Sequence, residues 1–442
     1  MNLNWFSPLP PAKTGVADFL SGILPALTSR VQVTLWTDQP KWDLSIEKFA
    51  RVRCYRPMQM PWDELNRADM NFYNIGNNHL FHGSIWQIAR RQPGAVILHD
   101  YRLHEFFDSL YRSQWQDTAG YVAQMKIHYG EEGLAAAGDY ITNGTTAIHS
   151  LAERYPLTPL ALENSLGVLV HTREAYEELK QANRWLVTFA PLAFSAAFTS
   201  TPSSPRIEKQ RAHDQPYRLI VFGFISRNRQ LDLLLKALAE FPQKDRFHLD
   251  IYGEVWDPYY VRQLISTLGL SKLVSLCGFV SPSVLDAALN SADLAINLRY
   301  PTMGEASISQ LRAWAHALPT LVTRVGWYGD LPEDVVAHVR PGQESIDIQE
   351  HLRAFIADPD RFARMGEQGR RLLAEQHSPE AYVETVLELA SQAKEFRGRA
   401  VAYNLAASVG EAMSAWADVF ASDEALRKVS QEILFLTGGT ED

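Results

Sequence analysis

Short apolar runs of strand length, most followed by helical periodicity, recur along the whole 442-residue chain and leave few architectures open. In the first half they lie at 3–6, 31–36, 70–75, 95–98 and 167–170. In the second half they lie at 219–222, 247–251, 274–276, 294–298, 318–322 and 335–339. Strands alternating with helices predict βαβ units and parallel sheets. Several runs are apolar almost throughout, as strands are when helices cover both faces of a sheet. Between the two sets, 194–217 is rich first in Ser, Thr and Pro and then in charge, with neither period. It reads as a linker or surface excursion and puts a domain boundary near 200–215. The fold class expected is α/β, with two doubly wound domains at 1–200 and 201–380 facing across a cleft. Amphipathic spacing at 382–390, 402–420 and 426–436 predicts C-terminal helices over 381–442 that pack back on the body.

Composition narrows the function classes. A hydrophobic content of 46% with 21% charged residues is that of a globular domain protein. A net charge of −9 argues against a dedicated nucleic-acid binder. The two cysteines, Cys54 and Cys277, fit no disulfide framework or zinc spacing, and buried thiols in a reducing compartment are expected. No ligand spacing appears among His79, His82, His99 and His104, so no metal site is expected. The N-terminus lacks the features of a signal peptide, and no apolar run reaches the roughly 18 residues that span a bilayer. A cytoplasmic enzyme, with peripheral membrane contact left open, is the expectation.

The stretch 291–323 reads as a buried strand (293–298), a loop ending at Gly304 and Glu305, and a helix from about 306 to 317, stopped by Pro319. It brings a carboxylate and backbone N–H groups to the carboxyl end of a parallel strand, where open α/β sheets bind ligands. A helix N-terminus there suits a phosphate. Ala306 and Ser307 supply N–H donors, and Ser307 and Ser309 supply hydroxyls. Glu305 also reads as an acid in the first turn of a helix, favoured by its dipole.

Other strand ends carry polar residues that read two ways. Gly15 lets backbone approach a phosphate, or else serves a tight turn. Asn77 suits a sugar hydroxyl, or a turn. His99 can donate to a substrate oxygen, or be satisfied by a carbonyl, with Asp100 capping the next helix or orienting a neighbour. Gly223 opens the second domain's first strand-to-helix loop, with Arg227 and Arg229 as phosphate ligands or solvated cations. Thr172 reads as a helix N-cap.

The order and spacing of several segments resemble the retaining nucleotide-sugar glycosyltransferases of family 4, which have the GT-B fold. The resemblance rests on S-P-L-P-P-A-K-T-G-V-A-D-F (7–19), I-G-N-N-H (75–79), P-G-A-V-I-L-H-D (93–100) and V-L-V-H-T-R-E-A (168–175). It continues through V-F-G-F-I-S-R-N-R (221–229), the run 291–323 and V-G-W-Y-G-D-L-P (325–332). It implies two Rossmann-like domains and sugar transfer from a nucleotide diphosphate sugar to a hydroxyl acceptor (saccharide, lipid-linked or other), without metal or cofactor. It implies that Glu305 contacts the donor sugar and that Arg229, above Arg227, neutralises the diphosphate. Gly15 becomes a diphosphate or sugar contact, and His99 lies by the transferring sugar. The loop 277–280 meets the nucleobase. Two departures stand out. Phe224 occupies a place where such enzymes carry Arg, and Ala313 a place where they carry a second Glu. These departures keep a non-catalytic nucleotide-binding partner in view beside the transferase, and the shared cleft keeps a sugar-nucleotide epimerase.

Overall fold

Seven of the thirteen strands in the computed structural model, which describes residues 1–144, 147–195, 215–414 and 431, belong to the sheet of the first compact unit. This unit comprises Met1–Ala190 and Glu380–Asp442. Its strands are β1 Asn2–Phe6, β2 Gln32–Thr37, β3 Arg51–Cys54, β4 Met70–Ile75, β5 Gly94–Leu98, β6 Ser165–Val170 and β7 Val187–Phe189. They pair in parallel in the order β3-β2-β1-β4-β5-β6-β7. The inner strands β4, β5 and β6 are buried at every residue. β5 (G-A-V-I-L) is apolar throughout for that reason, whereas β4 also buries Asn71 and Asn74 and β6 buries Ser165. β3 (R-V-R-C) and β7 (V-T-F) are partly exposed edge strands. Half-solvated edges need no apolar run, so neither was legible.

Between β5 and β6 the chain makes a helical excursion through His104–Asp108, a π-helical turn Ser109–Gln114, Thr118–Thr142, Ile148–Arg154 and Thr158–Ala161. The unit is closed by the helix Pro379–Ser414. A Cβ at Gly167 of β6 would meet Leu389 Cδ1 at 2.7 Å, so the helix packs directly on the sheet. Ion pairs Arg30–Glu384 and Lys394–Asp69 fasten its exposed side. The tail expected as separate helices at 382–390 and 402–420 is one continuous helix as far as Ser414. Residues 415–420 and the 426–436 segment, apart from residue 431, lie outside the described residues, as does most of the 194–217 linker.

The second unit, Pro191–Pro379, has six parallel strands. They are β8 Tyr217–Phe222, β9 Phe247–Tyr252, β10 Val274–Gly278, β11 Leu294–Asn297, β12 Thr320–Thr323 and β13 Ala337–Val339. Their order is β10-β9-β8-β11-β12-β13. Leu219 and Val221 enter one apolar cluster while Ile220 and Phe222 enter another. Alternate residues of β8 therefore fill both faces of the sheet. In both sheets the strand order reverses once, between β1 and β4 and between β8 and β11. Such switch points leave a crevice beyond the carboxyl ends of the strands.

At the carboxyl end of β8, Gly223 (φ 102°) and Gly253 (φ 123°) touch backbone to backbone. A Cβ at Gly253 would lie 1.9 Å from the Gly223 carbonyl oxygen. Gly253→Ala combines that clash with a backbone conformation hostile to L side chains, and should destabilise the second unit by about 2–4 kcal/mol. Thermal denaturation checks this; a melting temperature equal to the wild type's would contradict the close approach. The thiols correct one expectation: both are free, but Cys54 is exposed on the edge strand and Cys277 is only partly covered.

Candidate functional site

Arg229, Arg299 and Glu305 meet at the switch point of the second sheet. Arg229 ends a 3-10 turn, Arg227–Arg229, reached from β8. Its side chain turns inward and is 5% exposed. Nη2 donates to the Phe222 carbonyl at 2.7 Å and Nη1 donates to Asn297 Oδ1. Asn297 in turn donates to Gln310 Oε1 at 3.0 Å, and Gln310 donates to Thr320 Oγ1 at 2.7 Å. This buried chain runs from β8 through β11 to β12 and fixes the guanidinium before any ligand arrives. Burial, followed by the nearby charge of Arg299, pushes the Arg229 pKa down to about 10, so it stays cationic at neutral pH. Arg229 Nε has no partner among the described residues. The solvated-cation reading fails for Arg229, whereas Arg227 is exposed.

Glu305 is buried at 8% exposure. Its Oε2 accepts from Thr302 Oγ1 and from the Met303 N–H, both at 2.7 Å. Its Oε1 lies 2.9 Å from Arg299 Nη1. The expected helix start at 306 moves: the helix is Ile308–Ala315, with the Ser307 hydroxyl accepting from Gln310 N. Glu305 is therefore not a first-turn acid. It is anchored by its own loop, in which Gly304 (φ 75°) donates its N–H to Thr302 Oγ1. Ala306 is half-buried beside it. The missing side chain of Gly223 leaves room between Ser309 Oγ and Arg229 Nη2, at 3.2 and 3.6 Å from where a Cβ would stand. Phe224 is half exposed and uncharged, and Ala313 is packed in an apolar cluster. Neither supplies the charge that its place in the resembling family would carry.

Sequence reasoning missed Arg299, Asn297 and Gln310 as site residues. The signals were present: a polar Asn ending an otherwise apolar strand, and a cation two residues on.

In the first unit, the carboxyl ends of β4, β5 and β6 carry a second polar group. Asn74 Nδ2 donates to the Phe6 carbonyl at 2.9 Å, which leaves its Oδ1 to accept from His99 Nε2 at 2.9 Å. The His99 partner is thus an amide side chain rather than a backbone carbonyl. Its ring lies against Phe19 and His171, which also meet Tyr382. Burial, with His171 and His82 adding like charge, holds the His99 pKa well below the usual imidazole value. Asp100 accepts from the Asn77 N–H at 2.7 Å, the orienting reading; the N-cap position of the helix His104–Asp108 is Leu103, which makes no side-chain cap. Asn77 Oδ1 accepts from the Phe106 N–H at 3.0 Å, 29 residues on, so its amide oxygen serves the first turn of the helix His104–Asp108 and not a local turn. Thr172 caps the helix Arg173–Gln181 as expected. Gly15 begins the helix Gly15–Thr28 and is not among the glycines with positive φ, so no left-handed turn demands it. Among the described residues, no group of three or more His, Cys, Asp or Glu could hold a metal ion. No helix there is long and apolar enough to cross a membrane.

His82 donates from Nδ1 to the Asn74 carbonyl, and burial lowers its pKa to about 4. Unfolded, the same ring titrates near 6.5, so the unfolded chain binds more protons between those values. Its stabilising contribution is complete above pH 6.5 and is lost as pH falls towards 4. It amounts to about 3 kcal/mol. A His82→Asn variant, whose amide can keep the Nδ1 hydrogen bond, should flatten the acid limb of stability against pH, measured by urea unfolding. An unchanged limb would show that other groups dominate acid unfolding.

Comparison with known proteins follows the same lines. Residues 203–372 match the family described as glycosyl transferases group 1. No curated protein sequence matches the chain. Similar solved structures include HepE of Anabaena in complex with UDP, at 16% identity and TM-score 0.59, covering 88% of this chain and 99% of that one. Sucrose-phosphate synthase of Thermosynechococcus elongatus is similar at 16% identity and TM-score 0.60, covering 89% and 98%. WaaG, a glycosyltransferase involved in lipopolysaccharide biosynthesis, is similar at 14% identity and TM-score 0.57, covering 87% and 99%. The fold is that of the GT-B glycosyltransferases, with two Rossmann-like parallel sheets in one chain.

Proposed function

We propose that the chain is a glycosyltransferase that moves a sugar, with retention, from a nucleoside diphosphate to a hydroxyl acceptor. The observation that carries this reading is the fixed, buried Arg229 guanidinium beside the open space over Gly223, with the Glu305 carboxylate anchored at the same switch point. When a nucleoside diphosphate leaves, negative charge develops on its phosphate oxygen. A preorganised guanidinium and loop N–H groups stabilise that charge without reorganising. The match of residues 203–372 to glycosyl transferases group 1 supports the donor class, and so does the capture of HepE, a protein of this fold, with UDP-glucose.

In this reading Glu305 orients the donor sugar. Arg229, Gly223, Gly304, Ala306 and Ser307 hold the diphosphate, with Arg227 at the rim. Gly15, Asn77, Asp100 and His99 are the first unit's own candidates for contacts with sugar or acceptor. The departing phosphate oxygen takes the acceptor proton, so no second carboxylate is required and no metal is invoked. Acceptors in polysaccharide or glycolipid assembly, met in the cytoplasm or at its membrane face, suit this chemistry.

A thermal-shift screen against UDP, GDP, ADP and dTDP, followed by incubation with the matching nucleotide sugars, tests the reading. One diphosphate should raise the melting temperature, by linkage to the native state, and its sugar form should undergo transfer or slow hydrolysis. Binding without turnover would favour the non-catalytic partner.

A further inference from the structure

The Arg299–Glu305 contact differs from an ordinary structural ion pair, because the two oxygens of Glu305 are treated unequally. Oε2 is held by the Thr302 hydroxyl and the Met303 N–H, which fix the carboxylate on its own loop. Oε1 accepts no hydrogen bond from any described residue, although Arg299 Nη1 stands 2.9 Å from it. The contact is therefore Coulombic without hydrogen-bond geometry, and Glu305 keeps its place without it. Arg299 is also the most accessible of the three charged groups. Its side chain is 21% exposed, against 10% for Glu305. It lies two residues beyond the end of β11, and its own N–H is tied to Thr323 Oγ1 at 2.9 Å, so its backbone is anchored while its long side chain has reach.

Two guanidinium groups, Arg229 and Arg299, face one carboxylate, and the repulsion between the two cations contributes to the depressed pKa of Arg229. Of the Gly223 loop's own side chains, Phe224 is uncharged and Arg227 is exposed. An anion settling over Gly223 would find one cation fixed and a second close by, engaged with Glu305.

We propose that Arg299 is shared between Glu305 and the donor diphosphate: the diphosphate draws the guanidinium away and frees Glu305 Oε1 to accept a hydrogen bond from the donor sugar. This inference rests on the proposed donor class and adds an order to it. The sugar-reading oxygen becomes available only once a diphosphate is bound, so a free sugar competes poorly for the site. Arg299 becomes the second cation of the leaving-group clamp, and Glu305 changes from ion-pair partner to hydroxyl acceptor without moving.

Titration calorimetry of the full-length protein with inorganic pyrophosphate, a probe free of base and sugar, tests the exchange. Arg299→Gln should weaken pyrophosphate binding about tenfold or more, because a charged, forked donor is lost. Glu305→Gln should tighten it several-fold, because the competing carboxylate is gone. The double variant should show no such tightening relative to Arg299→Gln. Arg299→Lys should recover part of the affinity, which separates lost charge from damaged folding. The proposal is overturned if wild-type protein does not bind pyrophosphate, if Arg299→Gln binds within twofold of wild type, or if Glu305→Gln binds no tighter. The expected pattern with no turnover of any nucleotide sugar would uphold the exchange and count against the transferase reading alone. Turnover together with an indifferent Arg299→Gln would do the reverse.

Discussion

Transfer by a Glu305→Ala variant is expected to fall by a factor of about 10²–10³, the usual loss when one preorganised polar contact to the reacting sugar is removed. The protein should still fold, at a cost. Thr302 Oγ1 and the Met303 N–H lose their shared acceptor, at about 1–3 kcal/mol for each donor left buried without a partner. Arg299 keeps access to water and is not stranded. The informative combination is a large drop in kcat with nucleoside diphosphate binding retained, read by donor kinetics and thermal shift on the same preparation. Undiminished turnover would remove Glu305 from the site and the proposed chemistry with it.

Arg229→Met should damage both stability and activity. The methionine can fill much of the space, but Asn297 Oδ1 and the Phe222 carbonyl lose their donor in a buried setting, again at about 1–3 kcal/mol each. Arg229→Lys should be only a partial remedy, since one ammonium cannot reproduce a fork addressed to two acceptors. In the folded fraction, donor turnover should drop by about two orders of magnitude, because the charge facing the leaving group is gone. A variant with a lowered melting temperature but normal kinetics would make Arg229 a structural residue only.

Sequence alone revealed the sheets wherever burial on both faces forced continuous apolar runs, as in β5 and in the Leu219–Phe222 part of β8. It failed at β3 and β7, where edge solvation relaxes that demand. It placed Glu305 and Arg229 on strand-to-helix loops at carboxyl ends, which are recognisable from pattern, while their roles were implied by the family resemblance. It did not foresee that Arg229 would be turned inward, since this depends on Asn297 and Gln310 lying across a neighbouring strand and helix, 68 and 13 residues apart from their partners. The Arg299–Glu305 contact is only six residues long in sequence, yet it follows from a loop path that propensities do not specify. Sequence left Asp100 as an orienter or a cap for a related reason: its acceptor role towards the Asn77 N–H is set by the loop after β4, not by the helix that follows it.

The helix Pro379–Ser414 has a consequence for how the polypeptide reaches its native state. The first sheet is complete by Phe189, yet Gly167 and the aromatic group around Phe19 find their covering residues, Leu389 and Tyr382, only after the whole second unit has been traversed. A nascent chain leaving the ribosome must therefore hold its earliest sheet with that apolar patch uncovered for nearly two hundred residues of synthesis, and a stop codon placed just before Pro379 would leave Gly167 and Phe19 without those covering residues.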